Sequence, residues 1–82
     1  MTASVDDQVR DALATLLSLP LAEVTVQTTQ AGLDAWDSIA HLSFVLELEQ
    51  RFHIALLPEQ VERMTSVASA IREVTAALER SP

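Results

Sequence analysis

Apolar residues recur at helical spacing in three separate stretches of the chain. Val5, Val9, Ala12, Leu13, Leu16 and Leu17 form the first stripe, with Asp6, Asp7, Arg10 and Asp11 on the other side. This predicts an amphipathic helix. Ser4 is its natural cap, with Asp7 three residues on in the place of a capping-box acid. The helix should stop near Ser18, because Pro20 disfavours helix at the residue before it. The second stripe runs from Ser38 to about Phe52: Leu42, Val45, Leu48 and Phe52 suggest one face, and Phe44 joins Leu48 and Phe52 at four-residue spacing. Ile39, Leu42 and Leu46 fall on a flank. The apolar arc is thus wider than one buried face needs, so the helix is central or part of the arc is exposed for contact. The third stripe is Val67, Ala70, Ile71, Val74, Ala77 and Leu78, in a helix of roughly Val67 to Glu79 capped by Thr65 or Ser66. Ser81 and Pro82 read as a frayed tail.

Two connections complete the pattern. Pro58 to Met64 reads as a short helix with Pro at its first position, where the missing N–H costs nothing. Pro20 to Asp37 is a long loop with one possible turn at Leu21–Val24. Val24 and Val26 alternate with polar neighbours, but a strand is rejected, because no second strand is offered to pair with it. Leu33 and Trp36 should pin the loop to the helices, and a loop this long in a small domain is often functional. The expected fold is all-α: a small bundle of three main helices plus one short helix, with a long first loop, in one domain spanning residues 1–82.

Composition narrows the chemistry. There is no cysteine, so the chain supplies no disulfide, thiolate metal site or thiol nucleophile. A single glycine, Gly32, rules out a glycine-rich phosphate loop. Twelve acidic residues against five arginines give a formal charge of −7. That balance disfavours nucleic acid and anionic membrane surfaces and suits solubility or partners with basic patches. The amino end lacks the basic and apolar regions of a secretory signal, and no apolar run is long enough to cross a bilayer. A cytoplasmic protein, monomeric when free, is the expectation.

Candidate chemistry centres on Ser38. A serine directly before a helical pattern is first of all a cap, accepting a hydrogen bond from a free N–H of the first turn. Ser38 and His41 lie three apart on one helix face, the spacing of a serine–histidine nucleophile pair. It would also need an orienting group and an oxyanion pocket, for which so small a domain has little room. His41 and His53 have no metal-ligand spacing, and solvent-facing or half-buried histidines are the ordinary reading.

The run Gly32-Leu33-Asp34-Ala35-Trp36-Asp37-Ser38-Ile39-Ala40-His41-Leu42 is followed by Leu48-Glu49-Gln50-Arg51-Phe52-His53-Ile54, then by Pro58-Glu59 and Thr65-Ser66-Val67. This series resembles the acyl carrier protein family over nearly the whole chain. The Trp-Asp-Ser variant is similar to free-standing carriers of polyketide-like, specialised pathways. It lacks the Gly-Gly-His/Asp-Ser pattern of peptidyl carriers. The resemblance implies a non-enzymatic carrier with 4′-phosphopantetheine covalently attached at Ser38, holding acyl or aminoacyl groups as thioesters. Its implied partners are a phosphopantetheinyl transferase, an acyl- or aminoacyl-loading enzyme, and an acyltransferase or synthase acceptor. Asp37 matches the acid of the motif. Ile39, Leu42, Leu46 and Met64 match positions that contact partner enzymes or border an acyl cavity, and Glu49 matches an acidic recognition position. Leu46 and Met64 read equally well as ordinary core. Ala40, Ser43 and Gln50 stand where fatty-acid carriers have acids, which implies docking that depends more on apolar contact. The alternative is a small helical protein–protein interaction module without a prosthetic group, using Ile39, Leu42 and Leu46.

Overall fold

The computed structural model describes residues 4–80. Helix α1 spans Val5–Leu17, α2 Ser38–Phe52, α3 Pro58–Arg63 and α4 Val67–Arg80, with a single 3₁₀ turn at Leu21–Glu23. The expected all-α bundle of three main helices, one short helix and a long first loop is therefore observed. Residues 81 and 82, read as a tail, lie outside the described residues.

Local chemistry explains the boundaries. Ser4 Oγ accepts the Asp7 N–H at 3.1 Å, and Asp6 and Asp7 place negative charge at the positive end of the α1 dipole. At its far end Ser18 turns left-handed, with φ 57°, and the Leu19 N–H returns to the Ala14 carbonyl at 2.9 Å. Helix α2 ends the same way at His53, with φ 54°, and Ile54 N–H reaches the Glu49 carbonyl at 3.2 Å. Pro58 opens α3, and the Gln60 side chain accepts the Leu57 N–H at 3.0 Å. Ser66 caps α4: Ser66 Oγ accepts the Ser69 N–H and Ser69 Oγ accepts the Ser66 N–H, each at 3.0 Å.

The buried side chains form one cluster. Val9 and Leu13 of α1, Phe44 and Leu48 of α2, and Val67, Ala70 and Val74 of α4 meet Val24, Trp36 and Met64 from the connections. Helix α1 packs against both α2 and α4. Four of the five arginines reinforce these joints from the rim. Arg51 of α2 bonds Glu47 on its own helix and reaches across to Gln8 and Asp11 of α1, and the two carboxylates, Glu47 first, raise its pKa. Arg10 donates to the carbonyls of Val24 and Leu21. Arg63 bonds Glu73, and Arg80 donates to the Ala55 carbonyl and to Gln60.

The first loop is the least foreseen element. There is no strand at Val24–Val26: Val24 is buried and Val26 exposed. Yet the loop does find backbone partners, at the start of α4. The Val67 and Ala68 N–H groups donate to the carbonyls of Thr28 and Val26 at 2.9 and 3.1 Å. Gln30 N–H donates to the Thr65 carbonyl at 2.9 Å, next to an isolated antiparallel bridge between Thr29 and Ser66. Free amides at the beginning of one helix thus satisfy carbonyls of a distant loop.

Candidate functional site

The site is the amino end of α2 and the loop that leads into it. Gln30 and Leu33 carbonyls accept the Leu33 and Trp36 N–H groups at 3.3 and 2.9 Å, giving two successive turns. Gly32 sits inside the first turn, where its N–H donates to Thr29 Oγ1 at 3.0 Å. An added Cβ there would lie 2.9 Å from the same oxygen, so the lone glycine is set by close approach.

The cap of α2 is Asp37, which corrects the assignment to Ser38. Asp37 has extended backbone, and its Oδ1 accepts the Ala40 N–H at 2.8 Å. Its carbonyl accepts the His41 N–H at 2.8 Å, the first bond of the helix. Ser38 is the first helical residue and is exposed. A carboxylate is as good a cap as a hydroxyl, and with Asp37 one position earlier the serine is relieved of that role. Its Oγ makes no hydrogen bond among the described residues, nor do the N–H groups of Ser38 and Ile39.

Trp36 does pin the loop, being 1% exposed, but it is also a donor. Its Nε1–H bonds His41 Nδ1 at 3.0 Å, and the indole packs edge-on against Phe44 at 5.5 Å. His41 Nε2 lies 3.0 Å from the Val61 carbonyl. Since Nδ1 accepts from the indole, Nε2 is the nitrogen that donates to the Val61 carbonyl. The ring therefore ties the loop, α2 and α3 together. Both its nitrogens are engaged, so it has no lone pair with which to take a proton from Ser38, and the serine–histidine nucleophile is excluded. Sequence reasoning treated His41 as an ordinary histidine. The only available signal was a donor-bearing indole five residues before it, followed by Phe44.

The other candidate residues separate. Ile39, Leu42 and Leu46 are 78%, 62% and 58% exposed, an apolar row on the outer side of α2. Leu42 thus leaves the core stripe in which it was also placed. Met64 is 0% exposed: it lies among the core residues, not on a contact surface, because the chain leaving α3 turns it inward. Glu49 is half-buried, and its Oε2 accepts the Leu56 N–H at 2.8 Å. Through that oxygen it braces the α2–α3 connection. Among the described residues no group of acidic, histidine or cysteine side chains is arranged to hold a metal. None of their helices is long and apolar enough to cross a membrane.

Residues 7–74 match the family model described as the phosphopantetheine attachment site. The chain belongs to the acyl carrier protein family. Among solved structures, the carrier's fold is similar to that of the holo acyl carrier protein from Geobacter metallireducens. The TM-score is 0.81 at 21% identity, over 93% of this chain and 87% of that one. No curated protein matches it in sequence. The domain is a carrier and not an enzyme, and its prosthetic group is covalent 4′-phosphopantetheine. Carriers of this family work with phosphopantetheinyl transferases and acyl-handling enzymes. The amino end of α2 fits such a group. It offers an exposed hydroxyl with no internal partner, beside two free N–H donors at the positive end of a helix of 15 residues. The thiol of the arm supplies the thioester chemistry that a cysteine-free chain lacks.

Proposed function

We propose that Ser38 is the attachment residue and that this chain delivers acyl or aminoacyl thioesters within polyketide or related specialised-metabolite biosynthesis in the cytoplasm. The observation that carries the first part is the exposed Ser38 hydroxyl, freed from capping by Asp37. Attachment replaces the hydroxyl proton with the phosphoryl group of coenzyme A's pantetheine half. The Ser38 Oγ–P bond forms, the P–O bond to the nucleotide breaks, and the proton leaves to the transferase. The Ser38 and Ile39 N–H groups then face the resulting phosphodiester charge.

The pathway class is supported by the surface of α2. Ala40, Ser43 and Gln50 carry no charge, Glu49 is engaged by Leu56, and Glu47 by Arg51. What α2 offers outward is the apolar row Ile39, Leu42 and Leu46. Partners are thus selected by apolar fit after long-range attraction to an acidic protein.

The test is incubation with coenzyme A and a broad-specificity transferase. One arm's mass is expected on the wild-type chain and none on Ser38→Ala. A wild type that stays unmodified, or a Ser38→Ala chain that gains the mass, overturns the assignment. The mass of the protein isolated from its producing cells would identify the cargo.

A further inference from the structure

Ser38 lies inside two nested closures. The inner one is the cap, from Asp37 Oδ1 to the Ala40 N–H at 2.8 Å. The outer one joins two side chains across the serine: the Trp36 indole, two residues before it, and the His41 imidazole, three residues after it, at 3.0 Å. The cap fixes the first turn of α2. The outer closure fixes the chain that leads into it, because Trp36 also ends the second turn of the loop through its own N–H to the Leu33 carbonyl. The Nε2 bond to the Val61 carbonyl sets the rotation of the imidazole and keeps Nδ1 aimed at the indole.

This outer closure depends on a single lone pair. The indole N–H can only donate, Trp36 is 1% exposed, and Nδ1 is its one acceptor among the described residues. A proton taken from solvent onto Nδ1 removes the lone pair and sets one N–H against another. Indole and imidazole must then part, and a buried donor is left without an acceptor, which is costly. Imidazole is the side chain that ordinarily changes charge between about pH 5 and 8, and His41 is half-buried, not sealed from water. The added charge gains no ion pair, since no carboxylate is paired with the ring among the described residues. Of the charged groups on the elements that meet the ring, Asp37 is bound to the Ala40 N–H and Arg63 to Glu73. Asp34 of the loop and Glu59 and Glu62 of α3 are exposed.

We infer that His41 is a positioning residue for arm attachment: with Nδ1 unprotonated it latches the serine loop through Trp36, and a proton on Nδ1 opens the latch and slows attachment at Ser38. The inference rests on Ser38 being the attachment residue. His41 acts through Trp36 and exchanges no proton with the reacting groups. What it supplies is a hydroxyl held in one place, on which transfer to a docked phosphoryl group depends.

The experiment measures initial rates of mass gain with coenzyme A and a broad-specificity transferase, for wild type and His41→Asn, from about pH 8 down to about pH 5. Asparagine offers an acceptor oxygen where Nδ1 stands and does not titrate. Dividing one rate by the other removes the titrations of the transferase, of coenzyme A and of His53, which both reactions share. The two rates should agree within about twofold at the alkaline end, and in acid the wild type should fall about tenfold relative to His41→Asn, the order of effect of one buried donor left unpaired. A flat ratio overturns the inference. The indole resonance of Trp36, the single tryptophan, should move with pH in ¹⁵N-labelled wild type and stay in place in His41→Asn. Equal movement in both also overturns it. Should His41→Asn fail to fold, Trp36→Phe removes the donor that the proton opposes and keeps a ring beside Phe44, and the wild type should show the same fall against it. A flat ratio in that comparison has the same meaning. Mass gained at a flat ratio defeats the latch alone, whereas a wild type that gains no mass at any pH overturns the attachment at Ser38, and the latch with it.

Discussion

Asp37 Oδ1 accepts the Ala40 N–H at 2.8 Å, while the Ser38 hydroxyl between them in sequence makes no bond to the helix it opens. Two neighbouring residues that are interchangeable as caps thus have separate tasks. Asp37→Ala should lower stability by about 1 kcal/mol, the usual loss of a cap, whereas Asp37→Asn should recover most of it. Ser38→Ala should stay within about 0.5 kcal/mol of wild type, as expected for a surface change that removes no contact. Urea denaturation of the three variants checks this. A Ser38→Ala loss as large as that of Asp37→Ala would return the cap to the serine.

The left-handed residue that ends α2 offers a stabilising change. His53 is exposed at φ 54°, and only its backbone N–H takes part in the cap, bonding the Glu49 carbonyl. A side chain in this conformation is strained and glycine is not. His53→Gly should raise stability by about 1 kcal/mol. The denaturation midpoint should move up with the slope unchanged.

Acid should weaken the junction of α3 and α4. The hydrogen bond from Arg63 holds the Glu73 carboxyl below its ordinary value, aided by Gln60 and opposed by desolvation. A carboxyl depressed in the folded state stabilises fully above its unfolded value, about 4.3, and that contribution is lost as pH falls through the lower folded value. Glu73→Gln should therefore be less stable than wild type at neutral pH, and the gap should close in acid. Denaturation midpoints of both proteins across this range test it. A gap that persists after Glu73 is protonated would assign the effect to packing alone.

The outer row of α2 should affect transfer and not folding. Leu46 is 58% exposed, so Leu46→Asp removes little buried surface and should leave stability within about 0.5 kcal/mol. It should nevertheless slow arm attachment by the transferase, because the charge sits in the apolar contact. Initial rates of mass gain for wild type and Leu46→Asp, at equal folded concentration, decide the matter. Equal rates would remove Leu46 from the docking surface.

The four helices were legible because periodicity, Pro58 and the serine caps all agree locally with the fold. Ser38 was legible as the candidate attachment residue because its neighbours form a motif, but the cap was misassigned: Asp and Ser rank alike at that position, and a sequence does not show which one has the extended backbone. Leu46 and Met64 were equally open to core or surface by pattern, and only packing separates them, at 58% and 0% exposure. The α3 end of the His41 bridge was invisible because its partner there is a backbone carbonyl, which leaves no trace in residue type. The docking of the first loop was hidden for the same reason. Its partners are amides and carbonyls at residues 26–30 and 65–68.

That docking bears on the order in which the chain assembles. The two segments are some forty residues apart, so the loop cannot take its final path until α4 has nucleated and come to rest. The approach to Ser38 is thereby completed only once α4 is in place. A nascent or truncated chain ending before Thr65 would lack the acceptor at Thr65 and the donors at Val67 and Ala68, and the turns that lead to Trp36 would have nothing to rest on. The serine loop and the start of α4 thus reach their final form together.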